Sequence, residues 1–287
     1  MNQNLKLRVM TALVGVPVIL GLLLFGGVEG VAFFAWVISM GMFYEYCRMF
    51  FSLDDAKLKT GIALAVCTLA HLCNYLLTAG MVASLMGLAP VFCFFLLFLF
   101  QVPRLLNYGG KDALNRPEGI AILQKHVQEL MALCFGMVYC VWFPMLMVNL
   151  RGFASGKHWL IFTLLVVWSG DSFAYFSGKF FGKHLLYETV SPKKTWEGAF
   201  GGAFGALIVA GSYAYAFLPH SHLLLAGVMI LTICVAEALG DLCESLLKRA
   251  SNVKDSGSIL PGHGGFLDRF DGVVFALPVA YALLSLF

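Results

Sequence analysis

Apolar runs long enough to cross a membrane recur along almost the whole chain, and short polar segments separate them. A helix needs about 20 predominantly apolar residues to span the hydrocarbon core of a bilayer. The chain is 60% hydrophobic and only 12% charged, whereas soluble domains carry about 25% charged residues. It cannot cover a water-facing surface of ordinary size, so the sequence predicts an all-α, polytopic integral membrane protein.

The apolar runs predict nine membrane-spanning helices. They cover residues 7–26, 30–50, 60–78, 81–101, 127–149, 158–178, 197–218, 222–247 and 272–287. The first run is interpreted as a retained span, because it is long for a signal peptide and no small-residue cleavage site follows it. The chain is treated as one transmembrane domain, 1–287. Its spans before residue 126 carry almost no charge except Glu45, and the candidate active site is assigned to residues 127–287.

The distribution of basic residues predicts the orientation. If the N-terminus lies in the cytoplasm, all of the 19 Lys and Arg residues except Arg151 and Lys157 fall in cytoplasmic segments. Cytoplasmic loops of membrane proteins carry such an excess of positive charge. The sequence therefore predicts an N-in, C-out protein of the cytoplasmic (inner) membrane, with its active site facing the cytoplasm.

Acidic residues within the apolar runs are the next constraint. Four charged residues of the eighth span share one helical face through spacings of four, three and four residues: Glu237, Asp241, Glu244 and Lys248. An acid inserted into lipid costs about 2.5–3.5 kcal/mol, so these acids are expected to face a polar cavity, a cation or a base. Asp171 is interpreted as a wall of the same cavity. Interhelical ion pairs, caps or hydrogen bonds stay open as alternatives.

The polar loop after the eighth span contains a Gly-His-Gly-Gly run at residues 262–265, and glycines allow a backbone to approach phosphate closely. Asp268 and Asp271 follow, three residues apart, so both can point the same way on a first helical turn. Carboxylate oxygens of this kind suit Mg²⁺; a helix cap with a local salt bridge is the alternative. His263 is interpreted as shaping the loop or contacting phosphate, rather than as a general base.

A second polar loop, between the sixth and seventh spans, reads Ser-Pro-Lys-Lys-Thr-Trp-Glu-Gly at residues 191–198. Lys193 and Lys194 at a helix start can bind a triphosphate with help from the helix N-terminus; positive-inside anchoring is the alternative. A stripe of small residues follows and predicts close helix packing, within one chain or across a dimer: Gly198, Gly202, Ala206 and Ala210.

Familiar motifs of other function classes are absent from the sequence. It contains no P-loop, no Rossmann glycine fingerprint and no His-Glu-x-x-His motif. No basic, aromatic soluble face indicates nucleic acid, and the cysteines have no zinc-type spacing.

The segment from Ser245 to Asp271 resembles the signature of the CDP-diacylglycerol synthases, also called phosphatidate cytidylyltransferases. The matching positions are Ser245, Lys248-Arg249, Lys254-Asp255, Gly257, Pro261, His263-Gly264-Gly265, Asp268-Arg269 and Asp271. Residues 191–198 and the Gly-Asp-Ser-x-Ala-Tyr run at 170–175 are also similar to features of that family. The similarity covers roughly residues 168–272.

The resemblance implies an enzyme that makes CDP-diacylglycerol and pyrophosphate from CTP and phosphatidate in phospholipid biosynthesis, with Mg²⁺ as cofactor and a second metal ion left open. It implies Asp241 and Asp268 as the metal-bearing pair, with Asp271, Lys248 and Arg249 as further catalytic residues. The implied substrate-binding residues are Lys193, Lys194, Ser245, Lys254, His263, Gly264, Gly265, Arg269 and Asp171. Contact with membrane lipid, a homodimer and no nucleic-acid partner are also implied.

Within this scheme the two basic pairs are expected to differ. Lys248 and Arg249 end the eighth span above the acids, so they are expected to act at the reacting phosphorus. Lys193 and Lys194 are expected to reach further out along the phosphates or to the lipid head.

Two other functions stay open. A CTP-dependent polyprenol or phytol kinase would transfer the γ-phosphate and release CDP rather than pyrophosphate. An ion-coupled transporter would also need intramembrane acids, but it would have no use for the glycine-rich loop that ends in Asp-Arg-x-Asp.

Overall fold

The computed structural model describes residues 13, 15, 17–50, 56–80, 117–187, 191–260, 262 and 264–287. The helices are α1 (17–25), α2 (Gly27–Phe50), α3 (Ala56–Gly80), α4 (Pro117–Gly136), α5 (Phe143–Arg151), α6 (Gly156–Phe181), α7 (Trp196–Phe217), α8 (Leu223–Ala250) and α9 (Leu267–Leu286). A π-helical segment, Met137–Trp142, joins α4 to α5, and a 3-10 turn, His220–His222, precedes α8. Strands β1 (Leu185–Tyr187) and β2 (Ser191–Thr195) pair antiparallel between α6 and α7.

Six helical stretches of the described part are long and apolar enough to cross a membrane: Gly27–Phe50, Val127–Arg151, Gly156–Phe181, Trp196–Phe217, His220–Ala250 and Leu267–Leu286. Each overlaps a predicted span, and the shorter apolar stretch Thr60–Leu76 overlaps a seventh. The predicted span 81–101 and the first part of 7–26 lie outside the described residues. The protein is thus an all-α integral membrane protein, as predicted, apart from the short β-hairpin.

The start of α9 corrects one predicted boundary. The last span was expected to begin at residue 272, but α9 begins at Leu267. Asp268, Arg269 and Asp271 therefore lie on the first turns of a helix, although their charges are typical of a loop. As the spacing predicted, the two acids sit three residues apart on a helical turn.

Helices α6 and α7 form the most extensive helix pair in the described part of the chain. A Cβ added at Gly202 would lie 2.8 Å from the carbonyl oxygen of Gly170, and one at Gly198 would lie 3.0 Å from that of Ala174. Small residues let helix backbones approach this closely in membranes. At Gly198 and Gly202 the predicted small-residue stripe therefore packs within one chain, and Ala206 and Ala210 on the same stripe are buried.

Helices α8 and α9 also touch through glycine, at the level of the acids. A Cβ at Gly240 would lie 2.6 Å from the carbonyl oxygen of Asp271, and one at Gly272 would lie 2.9 Å from the Glu237 side chain. This close crossing brings Asp241, the neighbour of Gly240, beside Asp271.

Helix α2 connects the first part of the chain to the start of α9. The rings of Phe34 and Phe270 meet edge to face with centroids 6.2 Å apart. At Gly41 the absence of a side chain leaves room for the ring of Phe266, which any Cβ would overlap. Helix α2 therefore supports the segment that leads from the glycine-rich loop into α9.

Candidate active site

A polar cavity of about 490 Å³ lies where α8, α9, β2 and the loop between α8 and α9 meet. Its charged lining in the described part of the chain consists of five acids and three bases: Asp241, Glu244, Asp255, Asp268 and Asp271, with Lys194, Lys248 and Arg269. Ser191, Ser245, Gly262 and Gly264 complete the described lining. Because the acids outnumber the bases, an anionic ligand gains stability here if it arrives with a cation.

Asp268 organises the glycine-rich loop. Its Oδ2 accepts hydrogen bonds from the Ser256 backbone N–H at 3.1 Å, the Ser256 hydroxyl at 2.9 Å and the Gly265 N–H at 3.0 Å. The loop turns through Gly262 and Gly264, whose φ angles of 76° and 86° lie in the region that favours glycine. The carboxylate thus fixes the loop against the first turn of α9.

Lys248 joins α8 to α9 by contacting two acids. Its Nζ lies 2.6 Å from Glu244 Oε2, one turn earlier on α8, and 2.7 Å from Asp268 Oδ1. The Glu244 side chain is almost fully buried. Glu244 is therefore paired within α8, and the interhelical ion pair that the sequence left open is made instead by Lys248 and Asp268, inside the cavity.

The side chain of Lys194 reaches from β2 to Asp241 on α8, where Nζ contacts Oδ2. The Asp241 carboxyl also contacts that of Asp271 on α9. The expectation that Lys193 and Lys194 reach further out along the phosphates stays a prediction, but both Lys194 and Lys248 contact acids of the same cavity. The β-hairpin, which hydropathy does not reveal, brings Lys194 there.

The hairpin is held against the start of α7 by Glu197. Glu197 Oε2 accepts hydrogen bonds from the backbone N–H groups of Lys183 at 3.1 Å and His184 at 3.2 Å, and Oε1 lies 2.6 Å from His184 Nδ1. Thr195 caps α7 by accepting from the Gly198 N–H at 3.1 Å. These bonds determine where Lys193 and Lys194 leave the hairpin.

A second cavity, of about 660 Å³, lies between α6, α7, α8 and the hairpin. Glycine, alanine and cysteine residues of the three helices form much of its wall, and Asp171 and Glu237 contribute two carboxyls that contact each other. It shares Ser191, Lys194 and Asp241 with the polar cavity. The two cavities therefore meet at the Lys194–Asp241 ion pair.

Most of the predicted site residues meet in the polar cavity: Lys194, Asp241, Ser245, Lys248, Gly264, Asp268, Arg269 and Asp271. Asp171 and Lys193 line the second cavity instead. Gly265 is buried behind the loop. His263 lies outside the described residues.

Besides Gly265, two predicted site residues of the described part, Arg249 and Lys254, line neither cavity. Arg249 is exposed because one further residue along a helix rotates the side chain by about 100°, away from the face that carries Lys248. Lys254 is exposed because it follows the end of α8, where Asn252 turns the chain with φ at 54°.

Sequence reasoning missed two residues of the site region. Glu45 was singled out as an isolated acid but given no role, and it contacts the glycine-rich loop. The Ser256 hydroxyl lies within hydrogen-bond distance of both Glu45 and Asp268, yet only its place inside the signature-like segment could have indicated it.

The carboxylates fit a divalent cation that shares its coordination with a ligand. Within the described residues, no group of three or more His, Cys, Asp or Glu side chains is arranged to hold a metal ion. Mg²⁺ is usually bound by one or two carboxylates together with substrate phosphates and water, and hard oxygens of this type line the polar cavity. Asp241, partly exposed to that cavity, has the donor chemistry for such an ion.

Fold and site define a polytopic α-helical membrane protein in which an acid- and lysine-lined cavity adjoins a mainly apolar one. The sequence profile of the cytidylyltransferase family matches residues 6–287, and the chain belongs to that family.

Three relatives carry the same name, phosphatidate cytidylyltransferase. The protein of Bacillus subtilis (strain 168) is 48% identical over 135 residues, which are 46% of this chain and 49% of the relative. That of Staphylococcus aureus (strain COL) is 47% identical over 133 residues, 46% and 50% of the two chains. That of Staphylococcus haemolyticus (strain JCSC1435) is 43% identical over 131 residues, again 46% and 50%. In these alignments the chain spans about half the length of the curated relatives it matches.

Proposed function

We propose that the protein transfers CMP from CTP to phosphatidate, giving CDP-diacylglycerol and pyrophosphate in phospholipid biosynthesis. The observation that carries this proposal is the polar cavity, in which a glycine-rich loop fixed by Asp268 adjoins Lys248 and the Lys194–Asp241 pair. The second, mainly apolar cavity beside it suits a lipid. Membership of the cytidylyltransferase family and the names of the relatives support the proposal.

In the proposed reaction, an oxygen of the lipid phosphate attacks the α-phosphorus of CTP. A new P–O bond forms there, the bond to the β-phosphate oxygen breaks, and pyrophosphate leaves. The nucleophile is already ionised at neutral pH, so the chain need not supply a general base. Its task is to align two anions and offset their repulsion, which aligned binding and preorganised charges achieve in enzymes.

The bases of the polar cavity hold the triphosphate in this proposal. Lys248 and Arg269 line the cavity on the side of the glycine-rich loop, and Lys194 lies where the cavities meet. Phosphatidate enters from the lipid with its diacylglycerol part in the second cavity, so its phosphate arrives beside Lys194. The two reacting phosphates then meet at the boundary between the cavities.

Mg²⁺ is proposed as the cofactor, held by Asp241 and Asp268 together with substrate phosphates. When bound, a divalent ion supplies positive charge that neutralises the phosphates. Because Asp268 also holds the loop, the loop and the ion site are coupled. One ion is proposed, and the nearby Asp271 carboxyl offers an oxygen for a second.

The nine spans, the N-in and C-out orientation and the placement in the cytoplasmic membrane belong to the proposal, as does a homodimer. The distribution of basic residues supports the orientation. Single cysteines placed at 152–155 and at 251–258 are expected to react with an impermeant reagent from opposite sides. Cross-linking in native membranes tests the dimer.

The leaving product tests the proposed reaction. Purified protein in detergent, supplied with phosphatidate, CTP and Mg²⁺, is expected to release pyrophosphate and to form a lipid that carries CMP. Release of CDP with phosphorylation of a lipid alcohol would assign a kinase instead. Solute uptake into proteoliposomes without CTP turnover would assign a transporter.

A further inference from the structure

Glu45 lies on α2, far in sequence from the glycine-rich loop, yet its carboxylate is part of that loop's hydrogen bonding. The side chain is 2% exposed. Its Oε2 accepts hydrogen bonds from the Leu267 backbone N–H at 3.0 Å and lies 3.0 Å from the Ser256 hydroxyl. These two donors offset part of the cost of burying the carboxylate, whose other oxygen, Oε1, is buried without a hydrogen-bond partner among the described residues.

The loop is shaped to receive this carboxylate. A Cβ added at Gly257 or at Gly265 would collide with the Glu45 carboxylate. Two glycines of the signature-like segment are therefore needed for the close approach of a side chain from another helix. The Glu45 carboxylate occupies the space that their missing side chains leave.

Glu45 also completes the N-terminus of α9. The first N–H groups of a helix have no partner within the helix and are usually satisfied by a nearby side chain. Phe266, the residue at the N-cap position of α9, provides no side-chain cap. Glu45 accepts from the N–H of Leu267, the first residue of α9, so a residue of α2 takes the role of the missing cap.

The contacts of Glu45 lead to Asp268 in one step. The Ser256 hydroxyl lies 3.0 Å from Glu45 Oε2 and 2.9 Å from Asp268 Oδ2. Gly265, whose backbone packs against Glu45, donates its N–H to the same Asp268 oxygen. Two of the residues that donate to Asp268 therefore also contact Glu45. The Ser256 hydroxyl has one proton, so when it donates to Glu45 the Ser256 backbone N–H still bonds Asp268.

We propose that Glu45 is a positioning residue for the active site: it fixes the glycine-rich loop and Asp268 through Ser256 and the start of α9. This inference rests on the proposed function for its kinetic consequence, although not for its structural one. The site assigned to the second part of the chain is thus completed by an acid from the first part.

Three substitutions test the proposal. Glu45→Gln keeps the size of the side chain and an acceptor oxygen for Leu267 and Ser256. Glu45→Ala removes the acceptor. Ser39→Ala is the matched control, because Ser39 is another buried polar residue of α2 and bonds His71 of α3 at 2.8 Å, away from the loop.

Hydrogen exchange of the substrate-free protein gives the structural readout. In Glu45→Ala the hydrogen-bonded amides of Ser256, Leu260, Gly265 and Leu267 are expected to lose protection, while α6 and α7 keep theirs. Kinetics with CTP and phosphatidate varied in turn give the second readout: kcat is expected to fall at least tenfold in Glu45→Ala. Glu45→Gln is expected to stay within about threefold of the parent protein, as is Ser39→Ala.

Unchanged loop protection and kcat in Glu45→Ala would overturn the proposal, and so would equal losses in the Gln and Ala variants. If Glu45→Ala does not fold, Ser256→Ala replaces it, with the same loss of loop protection and kcat expected; an unchanged Ser256→Ala variant would then count against the proposal. Hydrogen exchange needs no substrate, so it tests the role of Glu45 independently of the reaction. A parent protein that releases no pyrophosphate would refute the proposed function but not the role of Glu45 in the loop.

Discussion

At the scale of single residues, Lys193 and Lys194 are neighbours in sequence with different surroundings. Lys194 contacts Asp241 at the junction of the cavities, whereas Lys193 is exposed and lines only the larger one. Lys194→Ala is expected to lower kcat by about 10²-fold, the scale of losing one preorganised electrostatic contact. Lys193→Ala is expected mainly to raise the KM for one substrate. Steady-state kinetics with each substrate varied in turn measure both effects. A loss of kcat in Lys193→Ala with only a higher KM in Lys194→Ala would place Lys193 at the reacting phosphorus.

Asp241 and Asp268 are expected to fail in different ways when changed to asparagine. Asp268→Asn turns an amide NH₂ either toward Lys248 or toward the donors of Ser256 and Gly265, and an unsatisfied buried donor costs about 1–3 kcal/mol. This variant is expected to lose both turnover and thermal stability. Asp241→Asn, at a partly exposed position, is expected to lose turnover with a nearly unchanged Tm.

Thermal unfolding in detergent, combined with an activity assay over a range of Mg²⁺ concentrations, measures both effects. Near-normal turnover of either variant at saturating Mg²⁺ would contradict the proposed metal-bearing pair.

The residue-scale predictions from sequence succeeded where one helix carries the pattern. The spacing of Asp241, Glu244 and Lys248 determines that they share a face, and the structure places all three in one cavity. Arg249 was grouped with Lys248 because the two are adjacent in sequence, but adjacent helical residues point in different directions and the Arg249 side chain is exposed. The sequence shows that Glu45 is an unusual acid in an apolar run, but not what it contacts, because its partners lie far away along the chain.

At the scale of elements, glycines of α7 offer a matched test of close packing. A Cβ at Gly202 would lie 2.8 Å from the backbone oxygen of Gly170, whereas one at Gly211 would meet no atom within 4 Å. Gly202→Ala is expected to destabilise the protein, by about 1–3 kcal/mol as for other overpacked sites. Gly211→Ala is expected to leave Tm unchanged or raise it slightly, because alanine favours a helix.

The Tm of both variants in the same detergent checks this prediction. A Gly202→Ala variant as stable as Gly211→Ala would mean that α6 and α7 are further apart than the structure has them.

Hydropathy predicts a helix well when the whole segment is apolar. It predicts helices and strands poorly where they carry the charged residues of a functional site. The spans that became α6 and α7 were predicted within a few residues. The last span was predicted to begin at residue 272, five residues too late, because the first turn of α9 carries the charges of Asp268, Arg269 and Asp271. The hairpin of β1 and β2 was not predicted because it is short and polar. In both segments the charged residues line the candidate active site, so their polarity does not indicate the secondary structure.

At the scale of the whole molecule, the two cavities predict separate effects on the two substrates. Ala238 on α8 lines the larger cavity, and its neighbour Leu239 is 53% exposed on another face. Ala238→Phe fills part of the cavity proposed for the lipid, so we expect a higher KM for phosphatidate and a nearly unchanged KM for CTP. Leu239→Phe is the control and is expected to behave like the parent protein.

Kinetics with phosphatidates of different acyl length, each at saturating CTP, measure the effect. A rise in the KM for CTP alone would instead put the nucleotide in the larger cavity.

Composition and charge were sufficient to predict the class of the whole molecule but not its internal organisation. The predicted division at residue 126 separated the spans with little charge from those with the site, yet Glu45 crosses that division to contact the glycine-rich loop. The existence of two cavities depends on how α6, α7, α8 and α9 cross, and a one-dimensional pattern contains no crossing geometry.

The backbone contact between α6 and α7 also limits how this protein can diversify. Two walls of the larger cavity come from a helix pair in which a side chain added at Gly198 or Gly202 would press on the backbone of α6. The third wall, on α8, presents Cys234 and Ala238, which are side chains of modest size that can be exchanged for others. Adaptation to membranes of different lipid composition can therefore act on α8 without disturbing that contact, and a library randomised at Cys234 and Ala238 samples the variation on this wall.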